Sequence, residues 1–335
     1  YIRTRAENEP LYEITQIKGT SETHPTLSPN DEFAGFEQWD YTLSADGLRP
    51  THRKGSFARQ ALLDGLSFEA RGMGNPFHYG FIGDTDTHNA AASNEEYNYT
   101  GKFAFENNPG HRLRGIKGQP ASQVQQVREF SSGGLAGVWA AENTREAIYD
   151  AMVRRETFGT TGPQIKVRFF GGWSYGANDV AGADFVARGY AKGVPMGSTL
   201  YGPGKKDEPS FVVWATKAPD SGHLDRSQIV KGWLDNSGKT HEKVYNVVWS
   251  DMKNRKAGKN GNVSDVGNTV DVKNATWSNT IGSAERITVW KDPDFDPGQR
   301  AFYYARVIEI PTTRWTAFDA KRFGVQMPKE SPMTM

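Results

Sequence analysis

Two acid–histidine pairs stand out in the sequence: Asp86 with His88 in HYGFIGDTDTHNAAAS, residues 78 to 93, and Glu22 with His24 in KGTSETHP, residues 18 to 25. Each pair is two residues apart, so in an extended segment both side chains leave the same face and can converge on one cation. Carboxylate oxygen with imidazole nitrogen suits zinc, manganese or iron better than calcium. A plainer account also fits. Asp84 and Asp86 then bond backbone N–H groups in a strand-end turn with His88 on the surface, and Glu22 and His24 belong to a helix cap or a solvent-facing loop. Cysteine is absent, which removes disulfides, thiolate metal sites and a cysteine nucleophile.

The elements that would position these residues can be read from periodicity. Residues 11 to 17, LYEITQI, alternate as a buried strand that runs into the Glu22 loop, and residues 78 to 83 form a short apolar strand that runs into the Asp86 loop. A strand ending in an acid and a histidine, twice over, is expected where ligands line the C-terminal mouth of an α/β barrel. Between them a helix is expected over 57–71, capped by Ser56, with Phe57, Ala61, Leu62 and Leu66 on one apolar stripe. Residues 97 to 128 are rich in Gly, Asn and Pro and read as a long surface excursion of the kind that forms binding segments or lids. Asn143 with Glu146 opens a second helix, with Ala147, Ile148, Ala151 and Met152 inward and its end near Glu156. The glycines around that helix lack phosphate-loop spacing and read as turns.

After the strand at 165–170 the texture changes to strand runs at 211–216, 227–234, 243–249, 285–290 and 302–310, with no helices expected between these runs. The chain therefore divides into an α/β part over 1–164 and a mainly antiparallel β part over 165–335 with an irregular tail. Trp214, Trp233, Trp249, Trp277 and Trp290 are assigned to sheet packing rather than to sugar binding. With 335 residues the chain can bury a substantial core, and its mean hydropathy of −0.67 with no apolar run near 18 residues leaves no membrane span. A net charge of +1 and the lack of a basic–aromatic block argue against a nucleic-acid partner.

Long stretches, among them EITQIKGTSETHP, NPFHYGFIGDTDTHNAAAS, REFSSGGLAGVWA, TREAIYDAMVRRETFGTTGPQIKVRFFGGW and DPDFDPGQRAFYYARVIEIPTTRWTAFDA, resemble a large bacterial family numbered 3604 among the domains of unknown function. That family is similar to the polymerase and histidinol phosphatase (PHP) type of metal-dependent hydrolases, which use a distorted, TIM-like α/β barrel and a cluster of metals. The resemblance implies that Asp86 and His88 are the last ligand pair and that Glu13 matches an earlier strand-end glutamate. It also brings the loop residues Glu22 and His24 toward the site. The opening His-x-His motif of that superfamily is absent, and Lys18 stands where some relatives carry a histidine. Since the chain opens on Tyr1 rather than Met, the expectation is a processed product whose upstream segment held that motif. Family resemblance also favours an exported, periplasmic or secreted, location.

The expectation is therefore a metal-dependent hydrolase acting on a phosphate ester or related small anionic ester, with a divalent Zn, Mn or Fe held by Glu13, His24, Asp86 and His88. A cation there would lower the pKa of a bound water. Asp84 or Glu22 would act as base, and Lys18, Arg53 or Arg155 would neutralise the leaving oxyanion. His52, His111, His223 and His241 are expected outside the cluster. The alternative is a non-catalytic binding or assembly protein with a vestigial barrel and a β part that contacts glycans or other subunits, possible homo-oligomers included.

Overall fold

The structure, a computed structural model, describes residues 1–42, 53–202 and 208–335, so His52 lies outside the described residues. The chain opens with helix α1 (Ile2–Asn8) and strands β1 (Leu11–Gln16) and β2 (Gly19–Thr20), followed by helix α2 (Ala58–Ala70) and strand β3 (Gly80–Gly83). Helices α3 (Pro109–Arg114) and α4 (Ala121–Arg128) lead to a hairpin of β4 (Leu135–Val138) and β5 (Thr157–Thr160) that encloses α5 (Arg145–Val153). Then come β6 (Lys166–Gly172), α6 (Phe185–Lys192), β7 (Gly193–Pro195), β8 (Ser210–Thr216), β9 (Leu224–Leu234), β10 (Thr240–Trp249), β11 (Glu285–Lys291), β12 (Arg300–Glu309) and α7 (Trp315–Phe323). Among the described residues no helix is long and apolar enough to cross a membrane.

In the first part β1 pairs in parallel with β3, Leu11 opposite Gly80 and Thr15 opposite Gly83, while β2 folds back antiparallel on β1. The β4–β5 hairpin packs backbone to backbone on this pair. Gly83 and Gly159 permit the approach: a Cβ on Gly83 would lie 2.8 Å from the Leu135 and Thr160 carbonyl oxygens, and one on Gly159 would lie 2.8 Å from the Gly83 nitrogen. The architecture is mixed α/β with several antiparallel sheets, and among the described residues no set of strands closes into a barrel.

From β6 on, the strands form two antiparallel sheets, ordered β10-β9-β12 and β11-β8-β6-β7, with no helix between β8, β9 and β10. Period-two alternation explains their packing. Phe169, Phe211, Val213 and Ile229 fill the space between the sheets, and the next residues along, Phe170 and Val212, turn to the outer face beneath Phe185 and Val186 of α6. Trp290 packs between the sheets as expected, and Trp233 stacks on His241, whereas Trp277 lies outside every strand.

Residues 97 to 128 depart from the expected surface excursion. Tyr99, Leu113 and Val127 join Ile17, Phe130 and the fully buried Trp315 in one apolar core, with Tyr99 stacked on Trp315 at 4.3 Å between ring centroids. The apolar residues are spaced singly among Gly, Asn and Pro, so no periodic run announces them, yet each supplies one side chain to the same core. Local helix signals also shift slightly: Thr144, not Asn143, caps α5 by accepting from the Ala147 N–H, and α2 starts after an extended Phe57.

The two parts are joined by buried ions. Arg59 of α2 donates to Asp31 at 2.7 Å and to Glu22 at 2.6 Å, and Arg306 of β12 donates to Asp31 at 2.7 Å and to Glu22 at 3.2 Å. Burial opposes the charge on Asp31, but Arg306 and Arg59 hold its carboxyl down at about 2. That is below its ordinary value near 3.9, so the associated stability is complete above about pH 4 and is lost as pH falls toward 2. Asp31→Asn leaves two buried guanidinium groups short of a counter-ion and is expected to lower the unfolding free energy at pH 7 by about 3 kcal/mol or more. It should also flatten the acid limb of stability between about pH 4 and 2. Urea melts at pH 7 and pH 3 check both, and a variant within about 0.5 kcal/mol of the parent at pH 7 would show the network to be energetically idle.

Candidate functional site

Parallel pairing brings the C-terminal ends of β1 and β3 together, and the loops that leave them carry most of the chemistry. The Ile17 N–H bonds the Thr85 carbonyl and the Asp84 N–H bonds the Thr15 carbonyl, each at 3.1 Å, so the two exits run side by side. The His88 N–H bonds the Lys102 carbonyl at 2.7 Å, which straps a third segment to the same place. Asp86 itself has φ of 52°, a left-handed conformation that aspartate tolerates better than most residues.

One oxygen of Asp86 collects three donors. Oδ2 accepts from Lys102 Nζ at 2.7 Å, from Gln16 Nε2 at 3.0 Å and from Lys18 Nζ in a short contact. The other oxygen, Oδ1, stands 3.2 Å from His88 Nε2, and Lys102 Nζ is 3.4 Å from that same nitrogen. Despite partial desolvation, Lys102, Lys18 and His88 hold the Asp86 carboxyl well below the usual carboxylate range. Lys102 is buried; desolvation lowers its pKa, Asp86 partly restores it, and Lys18 lowers it further. Glu13 faces the same cluster from β1. Partial desolvation, then the nearby carboxylates of Asp86 and Asp84, raise its pKa.

The structure thus brings together Glu13, Lys18, Asp84, Asp86 and His88 of the residues singled out in the sequence. It adds Gln16 and Lys102, which no local pattern marks, since a lysine in a Gly-rich loop carries no motif. Glu22 is placed elsewhere, largely buried in the Arg59–Arg306 network, with its carboxylate also accepting from the Tyr304 hydroxyl at 2.6 Å. His24 accepts at Nε2 from Arg53 Nε at 3.1 Å, with the Arg53 guanidinium also bonded to Asp40. Desolvation and Arg53, partly offset by Asp40, lower the His24 pKa. Arg155 lies beside the His78 carbonyl, before β3 begins and so at the opposite end of the strand from Asp86. His111, His223 and His241 bond Phe105, Ile281 and Asp235 respectively, away from the cluster.

Asp86 Oδ1 and His88 Nε2 fit two neighbouring ligands of one cation, because donors bonded at about 2.0–2.2 Å to the same ion stand roughly 3 Å apart. Among the described residues, no group of three His, Asp or Glu side chains gathers closely enough to complete such a centre. The lysine ammonium groups take the remaining contacts of Asp86. The arrangement offers an anion a pair of cations and offers a cation one carboxylate–imidazole pair.

The coupling between these charges is measurable. Lys18→Met removes a neighbouring positive charge and is expected to raise the Lys102 pKa, whereas Asp86→Asn is expected to lower it. NMR titration of 13C-methylated lysines checks the two directions, and identical Lys102 titration in parent and both variants would show that the three groups do not share one site.

Residues 1–335 match the family described as "Protein of unknown function (DUF3604)". No curated protein and no solved structure matched the chain. The match covers the whole length, from the α1 helix through the strand-end cluster to the last residues, and on that ground the chain belongs to the DUF3604 family.

Proposed function

We propose that the strand-end cluster serves metal-dependent hydrolysis of a phosphate ester or related small anionic ester, on a β1–β3 arc that belongs to a distorted barrel of the PHP type. The observation that carries this reading is the pairing of Asp86 Oδ1 with His88 Nε2 at 3.2 Å beside two lysines at the mouth of parallel strands. Asp86 and His88 would hold a divalent zinc, manganese or iron, with Glu13 near enough to feel their charge. The ion, when bound, supplies Lewis-acid polarisation of the ester and a lowered pKa for the attacking water.

The chain's own residues do the rest. Lys18 and Lys102 bind the anionic ester oxygens as point charges, and the lowered pKa of Lys102 suits it to give a proton to a departing alkoxide. Asp84, exposed at the exit of β3, orients the nucleophile. A second reading draws on one observation: Asp86 Oδ2 is already neutralised by Lys18, Lys102 and Gln16, as in a binding or assembly protein whose site needs no cation.

Titration with Zn²⁺ and Mn²⁺ followed by calorimetry, and hydrolysis of p-nitrophenyl phosphate by the metal-loaded protein, separate the two. His88→Ala is expected to lower metal affinity or metal-supported hydrolysis about 10- to 100-fold. Its unfolding free energy should stay within about 0.5 kcal/mol of the parent, because an exposed loop side chain contributes little to the core. Absence of metal binding, or hydrolysis by His88→Ala at the parent's rate, rejects the hydrolase in favour of the assembly reading.

A further inference from the structure

Two aromatic side chains stand in solvent at the edge of the Asp86 cluster: Phe103 is 36% exposed and Phe105 40%. Their ring planes lie within 5° of parallel, with centroids 5.7 Å apart. The Phe103 ring centre is 5.2 Å from that of His88, the two rings being nearly perpendicular at 82°, and Lys102 Nζ lies 5.6 Å from the same ring. One exposed aromatic on a protein surface is ordinary. Two parallel rings beside a charged site make an apolar shelf, and such patches mark binding sites.

The backbone beneath the shelf is pinned from several sides. The His88 N–H bonds the Lys102 carbonyl at 2.7 Å and ties the segment to the site. Glu106 turns inward, 1% exposed, and its Oε2 accepts from the Lys102 N–H at 2.7 Å and the Phe103 N–H at 3.2 Å. Gly101 permits this turn: it has φ of 87°, and a Cβ there would lie 2.5 Å from Glu106 Cβ. Arg112, bonded to Asp319 at 2.7 Å, donates to the Glu106 and Asn107 carbonyls at 3.0 and 3.2 Å. The His111 ring bonds the Phe105 carbonyl at 2.7 Å, and Asn89 donates to the Gly101 carbonyl at 2.9 Å. The two rings are thus presented on a fixed frame, so little order is lost when another ring packs on them. Phe103, Ala104 and Phe105 carry no charge and the carboxylate that follows them faces inward, so the shelf suits an apolar body rather than a second charge.

We propose that the ester taken at the Asp86–His88 pair carries an aromatic group, which packs on Phe103 and Phe105 while the charged head lies at Asp86, His88 and Lys18. Aromatic rings attract one another at centroid spacings of about 4.5–7 Å, and Phe103 already stands at such a spacing from His88, so a ring joined to a head group beside His88 reaches the shelf. This names the substrate class for the hydrolase reading given above and takes the place of the head group from that reading.

The test is calorimetric titration, in buffer containing Zn²⁺, with phenylphosphonate and with methylphosphonate, which share a charged head and differ in the ring. The parent should bind phenylphosphonate about 3- to 10-fold more tightly. Phe105→Ser, at the ring whose contact is with Phe103, should bring that ratio toward one and leave methylphosphonate unchanged. Phe103→Ser should do the same. If it weakens both ligands alike, it has disturbed Lys102 and His88, and Phe105→Ser decides by the ratio. Equal binding of the two phosphonates by the parent, binding of neither, or an unchanged ratio in Phe105→Ser overturns the proposal. A dimer that Phe105→Ser dissociates with the ratio unchanged also overturns it, and makes the shelf a contact between copies of the chain. The hydrolase reading fails separately: a protein that prefers phenylphosphonate yet leaves p-nitrophenyl phosphate intact keeps the aromatic subsite and loses the reaction.

Discussion

The fold depends on a buried set of charges that joins its two parts. Asp31 and Glu22 lie on the loop after β2, Arg59 on α2, and Tyr304 and Arg306 on the edge strand β12, yet their polar atoms meet within hydrogen-bond distance. Arg59 is 1% exposed, and taking such a guanidinium from water is costly unless its partners are in place. The network therefore does more to specify than to stabilise. The α/β part can dock on the β12 sheet only in the arrangement that satisfies every one of these groups, and Gln228 and Glu242 complete the set from β9 and β10.

That docking has two consequences. It encloses a mainly apolar cavity of about 670 Å³, because β12 supplies one wall and the β3 and β5 strands supply another, with Phe81 meeting Tyr304 edge to face across 5.5 Å between ring centroids. It also fixes which end of the β1–β3 pair stays open. The N-terminal end of β3 turns toward Arg155 and the cavity, while the C-terminal end leaves Asp86 partly accessible among Lys18, Lys102 and His88. One short parallel pair thus carries different chemistry at its two ends, mainly apolar beside Arg155 at one and densely charged at the other.

At the charged end the balance of ions is the governing fact. Three carboxylates, Glu13, Asp84 and Asp86, face two ammonium groups, and only Asp86 is bonded to them directly. Glu13 is left with its carboxyl pKa raised by desolvation and by its acidic neighbours, a state that further positive charge would relieve. The same two lysines that neutralise Asp86 would attract an anionic ester, so both proposed uses of the site follow from one electrostatic arrangement.

The strands at the site and in the β part are legible from local pattern, because alternating apolar runs bounded by Gly, Asn, Asp and Pro are a local signal. That pattern also carries the antiparallel pairing of the later strands, whereas Asp86 and His88 meet although Asp86 is left-handed rather than extended, so their spacing alone does not account for the contact. Which polar residues meet depends on the fold as a whole. Glu22 and His24 have the same spacing as Asp86 and His88, yet Glu22 is taken by arginines from α2 and β12, more than 30 and 280 positions away in sequence, and His24 by Arg53. Lys102 and Gln16 carry no motif, and Tyr99, Leu113 and Val127 sit in a stretch whose composition reads as loop. The physical reason is the same in each case: charge pairing and core packing are set by which segments the fold brings into contact, and no pattern within a single segment records that.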